Sequence, residues 1–390
     1  MSAAVAAAAG VTACDDSSNN HPGGADGGTD AGADGGHRPS VLAQFQNVAV
    51  GVALSHTGRT FLSFSRAIDE TEPLSLVELV NGTPVQYPPG FDQNAGAPAP
   101  DRLLSVQALT VDAQDRLWIL DTAKIGQAPI TPGTPKLIAV DLKTDHVVQT
   151  ITFPPEVAGA TAMLNDVRID LGKGSAGFAF LTDSATPGPN GLVVVDLATG
   201  ASRRRLNDHP TTKPQPDLVV MSEGMPLIVK QGPDAGQPYR VGSDGIALDA
   251  DGHHLYYRAL TGHHLYRVST DALVDPAASD ADVAATIEDL GDLGFASDGL
   301  LGDAAGRLYL TDYENNVVHR RNADGTLEIV MSDQPLLWPD SLALSTDGTL
   351  IATTTQIERS PRLRGADQRT RPFTVWGVAT DSQPLYLSAR

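Results

Sequence analysis

The chain has 390 residues, with 27 Lys and Arg against 47 Asp and Glu, for a net charge of −20. That balance argues against nucleic acid, whose phosphates need Lys/Arg neutralisation, and against docking on anionic lipid through a basic patch. No run of 18 apolar residues is present to make a membrane-spanning helix. The single cysteine, Cys14, leaves no internal disulfide and no Cys-based zinc or redox motif.

Residues 3–13 read AAVAAAAGVTA, an apolar run of the length expected of an export signal before a small-residue cleavage site. The stretch Val11-Thr12-Ala13-Cys14 resembles a bacterial lipoprotein lipobox. That resemblance implies a signal segment over 1–14, lipidation at Cys14, and an exported protein, either an envelope lipoprotein or secreted. Residues 15–40 are rich in Gly, Asp and Ser and almost free of apolar side chains. They cannot bury enough surface to offset their ordering entropy, so a flexible tether is expected there.

From residue 41 to 390 short runs of Val, Leu, Ile and Tyr alternate with Gly, Asp and Pro turns, an all-β pattern. Six segments share one shape, an apolar strand, a D-x-x-G-like turn and a second apolar strand: 48–64, 106–121, 165–183, 243–259, 297–312 and 339–355. The residues ending the first strands, Ser55, Asp112, Asp170, Asp249, Asp303 and Ser345, are spaced by 57, 58, 79, 54 and 42. Further strand pairs follow most hairpins, as at 136–153 and 191–206. Four strands per repeat and six repeats predict a six-bladed β-propeller. Two stacked sandwiches would not repeat one hairpin six times. The long third spacing implies a Pro-rich insertion near 203–234 that covers one face.

In a propeller the first strand of each blade lines the central channel. Counting back five from each anchor gives Val50, Gln107, Asn165, Asp244, Asp298 and Asp340. Counting forward nine gives Phe64, Asp121, Arg258, Asp312 and Thr354, with Asp183 the equivalent in the third blade. One mouth is therefore expected to carry a ring of carboxylates and amides, with Tyr313 beside it as part of an aromatic wall. Crowded carboxylates repel one another and need a cation, a proton or backbone donors. Oxygen-only ligands favour Ca²⁺ or Mg²⁺, and an organic amine is the alternative. Asp and Asn before a strand also often satisfy their own turn.

At these same residues the sequence resembles the major royal jelly/yellow protein family, including its bacterial members. LNDVRID (164–170), FAFLTDSATPGPNGLVVVDLATG (178–200), DGIALDADGHHLYYRALTGHHLYRVSTDAL (244–273) and WPDSLALSTDGTLIATTTQIERSP (338–361) carry the likeness, which extends over roughly 45–378. It implies a six-bladed propeller. It also implies a range of functions: amine binding in the central pocket, dopachrome conversion, or a nutrient role. Gluconolactonase and regucalcin propellers are more distantly similar. They imply one divalent metal, with Asn165, Asp244 and Asp298 in the Asn and Asp parts and Val50 where those proteins carry Glu.

Other constellations carry less. His253-His254 and His263-His264 are adjacent strand residues that point to opposite faces, which a single metal cannot easily use. Arg203-Arg204-Arg205 reads as a solvated strand end, Asn81-Gly82-Thr83 as a sequon without use, and Tyr256, Tyr257, Tyr266 and Tyr309 as blade packing. The expected function is an exported, monomeric propeller that captures a small polar or cationic ligand in an acidic funnel. The alternatives are a divalent-metal-dependent lactone hydrolase and a dopachrome-type isomerase.

Overall fold

The computed structural model describes residues 38–94, 96, 101–332 and 336–388. The expected signal segment, Cys14 and nearly all of the expected tether lie outside the described residues.

Each repeated hairpin is built around its anchor residue. Asp112 accepts hydrogen bonds from the N–H groups of Gln114 and Arg116, and Asp303 accepts from Ala305 and Arg307. Asp249 accepts from His254, while Ser55 and Ser345 use their hydroxyls for Arg59 and Thr349. The short side chain thus replaces a turn's missing backbone partner. Most of these turns then place glycine at positive φ, as at Gly306 (78°); blade 2 uses Asp115 (59°) instead.

The hairpins extend into six four-stranded antiparallel sheets. Their inner strands are Val52–Leu54, Val106–Val111, Leu164–Asp170, Ser243–Leu248, Leu300–Gly302 and Pro339–Leu344. Blade 6 is completed by the N-terminal strand Ser40–Phe45, which pairs with Phe373–Ala379 in a register that sets Phe45 opposite Phe373. Side chains alternate across each strand. In Arg116–Asp121, Leu117 and Ile119 meet blade 1 while Trp118 and Leu120 meet blade 3. A buried apolar cluster fills every junction between neighbouring blades, including that between blades 6 and 1. The architecture is a closed six-bladed β-propeller, as the repeat predicts.

Two features deviate from expectation. The segment 203–205 is not a fully solvated strand end: Arg203 and Arg204 are half-buried and Arg205 is buried. It belongs to the outer strand Ser202–Arg205 of blade 3. There Arg204 pairs with Asp183 at 2.7 Å, and buried Arg205 donates to the carbonyls of Leu273, Asp275 and Ala278. The insertion begins after that strand and runs on to Val241. It crosses the wide mouth toward blades 5 and 6, where Met221 N–H meets Glu314 and Lys230 N–H meets the Arg362 carbonyl. Its apolar residues Val220, Leu227 and Val229 are buried with Trp338 and Leu363.

The narrow end is closed by the C-terminal segment. Ser382 hydrogen-bonds Asp303, Pro384 bridges to Asp303, Tyr386 lies against His56 with ring centroids 4.1 Å apart, and the Leu387 carbonyl accepts from Leu171 N–H.

Candidate functional site

The inner strands do not enter their blades regularly. Their ladders skip residues between Val106 and Ala108, Leu164 and Val167, Ser243 and Ile246, and Pro339 and Leu342. Such bulges release residues from pairing and re-aim their side chains. They free Gln107, Asn165, Asp244 and Asp340 of the opening column, while Asp298 precedes its strand Leu300–Gly302. Hydroxyls on the second strands take up the freed N–H groups. Thr182 accepts from Asp166, Thr311 from Asp298 and Gly299, and Thr353 from Ser341. Gly245 and Gly299 follow two of the carboxylates because the next blade's backbone passes close behind. A Cβ at either would stand 2.2 or 2.3 Å from a carbonyl oxygen.

Gln107, Asn165, Asp244, Asp298 and Asp340 consequently line one cavity of about 110 Å³ at the wide mouth. Gln107 and the three aspartates are all buried. Gln107 Nε2 donates to Asn165 Oδ1 at 2.8 Å, and its own Oε1 is buried without a partner among the described residues. Asp298 accepts from Trp338 Nε1 at 2.7 Å. Burial and the neighbouring carboxylates raise all three acids. Asp298 is pushed up to about 6, and Asp244 and Asp340 lie well above the usual carboxylate range. Val50 is buried in the blade 1 position and brings no side-chain oxygen.

Below the acids, Arg168 reaches across the channel axis. Its guanidinium pairs with Asp166 at 2.6 Å and donates to the Leu300 carbonyl two blades away. A second cavity of about 90 Å³ lies beyond it, bounded by Pro384–Leu387. Arg168 lines this second cavity and not the acidic one.

The return-strand residues are placed elsewhere. They end the second strand, one layer further from the axis, and serve the connections between strands and blades. Asp121 accepts from the N–H groups of Leu104, Ser105 and Ala123, and burial raises its carboxyl. Asp183 accepts from Met163 and Ala185 and pairs with Arg204. Asp312 accepts from Glu314, Asn315 and His319. Tyr313 stands behind the cavity wall. It stacks on Trp338 at 3.9 Å and donates to the Leu260 carbonyl at 2.7 Å.

Lys124, Tyr239 and Arg362 also line the cavity and have no counterpart in the opening column. All lie on connections, so blade spacing does not find them. Arg362 sits over the Tyr239 ring at 6.0 Å and pairs with Asp234 at 2.8 Å. Burial lowers Lys124 against the attraction of Asp183, and Arg362 adds to the lowering.

A divalent cation needs several oxygens converging on one point. Among the described residues no group of three or more His, Cys, Asp or Glu side chains is gathered in that way. Asp298 is turned toward Trp338, and the Asn165 Oδ1 that the metal reading requires already accepts from Gln107. No metal site is thus shown among the described residues. The paired histidines diverge: His254 meets Asp249, His263 meets Glu314 and His264 meets Asp289.

Fold and site together define a six-bladed propeller with an acidic, one-ended central funnel. The family model described as "Major royal jelly protein" matches residues 104–360, and the chain belongs to that family. A yellow-related salivary protein of Lutzomyia longipalpis is 28% identical over 249 residues, which cover 58% of this chain and 57% of that one. Major royal jelly protein 3 of Apis mellifera is 26% identical over 45% of this chain and 30% of its own length. The matches thus span between about a third and a little over half of these relatives. Among solved structures, the calcium-binding protein regucalcin of Agrobacterium tumefaciens covers 90% of this chain and 98% of its own at 13% identity, with a TM-score of 0.55. A luciferin-regenerating enzyme is comparable, at 12% identity and a TM-score of 0.55. At such identity the likeness is one of fold.

Proposed function

We propose that this protein is a binding propeller that captures a small cationic ligand in its acidic funnel. One observation carries the reading. Asp244, Asp298 and Asp340 are buried in one cavity, and among the described residues none of the three forms an ion pair with a basic side chain. An ammonium group on these carboxylates supplies a counter-charge that relieves their repulsion. The unpartnered Gln107 Oε1 offers the same ligand a further acceptor. Tyr239 supplies an aromatic face for the ligand's organic part. Export of the protein, inferred from residues 1–14, belongs to the same reading, as does action as a monomer, because one chain builds the whole cavity.

Thermal melting of the full chain tests this. A ligand at about 100 times its dissociation constant adds about 2.7 kcal/mol, a shift of several degrees in a domain of this size. Primary amines such as phenethylamine are expected to raise the melting temperature of the wild type but not of Asp340→Ala, whose affinity should fall more than tenfold. A rise with calcium that a chelator reverses, without any response to amines, would instead assign the carboxylates to an ion.

A further inference from the structure

The cavity is acidic at its floor only. Lys124 lines the same space; among the described residues its ammonium makes no direct hydrogen bond or ion pair, and Asp183 attracts it only from a distance. Arg362 stands close enough for the two cations to repel each other. It is held by a single carboxylate, Asp234, and its Nε is buried without an acceptor. Unpaired donors in a partly desolvated site are costly unless a ligand answers them. The ligand that satisfies both ends carries one anionic and one cationic group.

We infer that the funnel selects zwitterions of the amino-acid class: the ammonium on the aspartate floor, the carboxylate at Lys124 and the Arg362 Nε. The wall's charge is the reason for a carboxylate rather than a phosphate. One lysine that already feels Asp183 and one arginine already shared with Asp234 match a single negative charge and not two. Tyr239, under the Arg362 guanidinium, gives the side chain an aromatic surface between the two poles. This inference rests on the cation-binding reading above and adds the second pole to it.

Calorimetric titration with matched ligands separates the two. Phenylalanine, phenethylamine and 3-phenylpropionate differ only in their charged groups, and leucine with isoamylamine repeats the comparison for an aliphatic side chain. The wild type is expected to bind at least one amino acid tenfold or more tighter than its amine, and to bind 3-phenylpropionate weakest of its set. Lys124→Met should bring the amino acid down to the level of the amine while leaving the amine unchanged or slightly improved, and Lys124→Arg should keep the preference. Amines that equal or exceed their amino acids in the wild type would overturn the inference and leave the cation site standing. A Lys124→Met variant that weakens amine and amino acid alike would do the same. Failure of all five compounds to bind would overturn both readings.

Discussion

Asp244, Asp298 and Asp340 show how placement, and not residue type, decides what an aspartate does in this protein. The hairpin anchors Asp112 and Asp303 each accept two backbone N–H groups of their own turns. The three funnel acids trade such donors for proximity to one another. Their folded pKa values lie above the unfolded value, so between about pH 4 and pH 6 the native protein retains protons that the unfolded chain has released. Stability therefore falls as pH rises through that window. Buried Glu72 and Glu358, each pushed up to about 7 mainly by burial, extend the decline toward neutrality. Asp340→Asn removes one of the repelling charges. It is expected to melt several degrees higher than the wild type at pH 7.5, to gain nothing at pH 4, and to bind amines poorly at either pH. A variant destabilised at pH 7.5 would show that the carboxylate is needed for the fold.

At the scale of the element, the unit that builds the site is a bulged inner strand followed by a hydroxyl-bearing second strand. The Asp-Gly pairs at 244–245 and 298–299 express both halves of the geometry: the acid turns inward, and the glycine lets the adjacent blade come close. Gly245→Ala would press a methyl against the Asp298 carbonyl at 2.2 Å. A cost of about 1–3 kcal/mol is expected, read by denaturant titration, together with a loss of ligand affinity because the neighbouring acid is displaced. An unchanged midpoint would mean that the bulge absorbs the methyl freely. Much of this unit is legible in the sequence. Hairpin turns, strand alternation and the five-residue count back from each anchor are local regularities, and they lead to Gln107, Asn165, Asp244, Asp298 and Asp340. Radial position is not local. Asp121, Asp183 and Asp312 look like the same ring when counted along the chain, yet they end a strand one layer further out, where loop N–H groups claim them. Lys124, Tyr239 and Arg362 reach the cavity from connections whose paths depend on contacts between blades, and no period announces them.

For the molecule as a whole, closure turns six marginal hairpin sheets into one body. Each blade presents two apolar faces, and only a complete ring buries both on every blade. The strand Ser40–Phe45 holds that ring by hydrogen-bonding to Phe373–Ala379. A chain starting at residue 38 should melt like the full-length protein. One starting at residue 47 leaves the Phe373–Ala379 edge open, an invitation to strand pairing between copies. It is expected to melt on the order of 10 °C lower and to scatter light on warming. Equal melting of the two chains would show that the blade interfaces suffice for closure.

That clasp also sets an order in time. The strand Ser40–Phe45 is among the first segments of the described chain to be synthesised, and its partner is among the last. At 5–20 residues per second, roughly 15–65 s separate the two. Throughout that interval the nascent protein is an open fan with an unclaimed strand at one end and apolar blade faces uncovered. Anything that shields this fan until the final blade arrives, whether a chaperone or a compartment, would govern the yield of folded protein more than the stability of the finished ring.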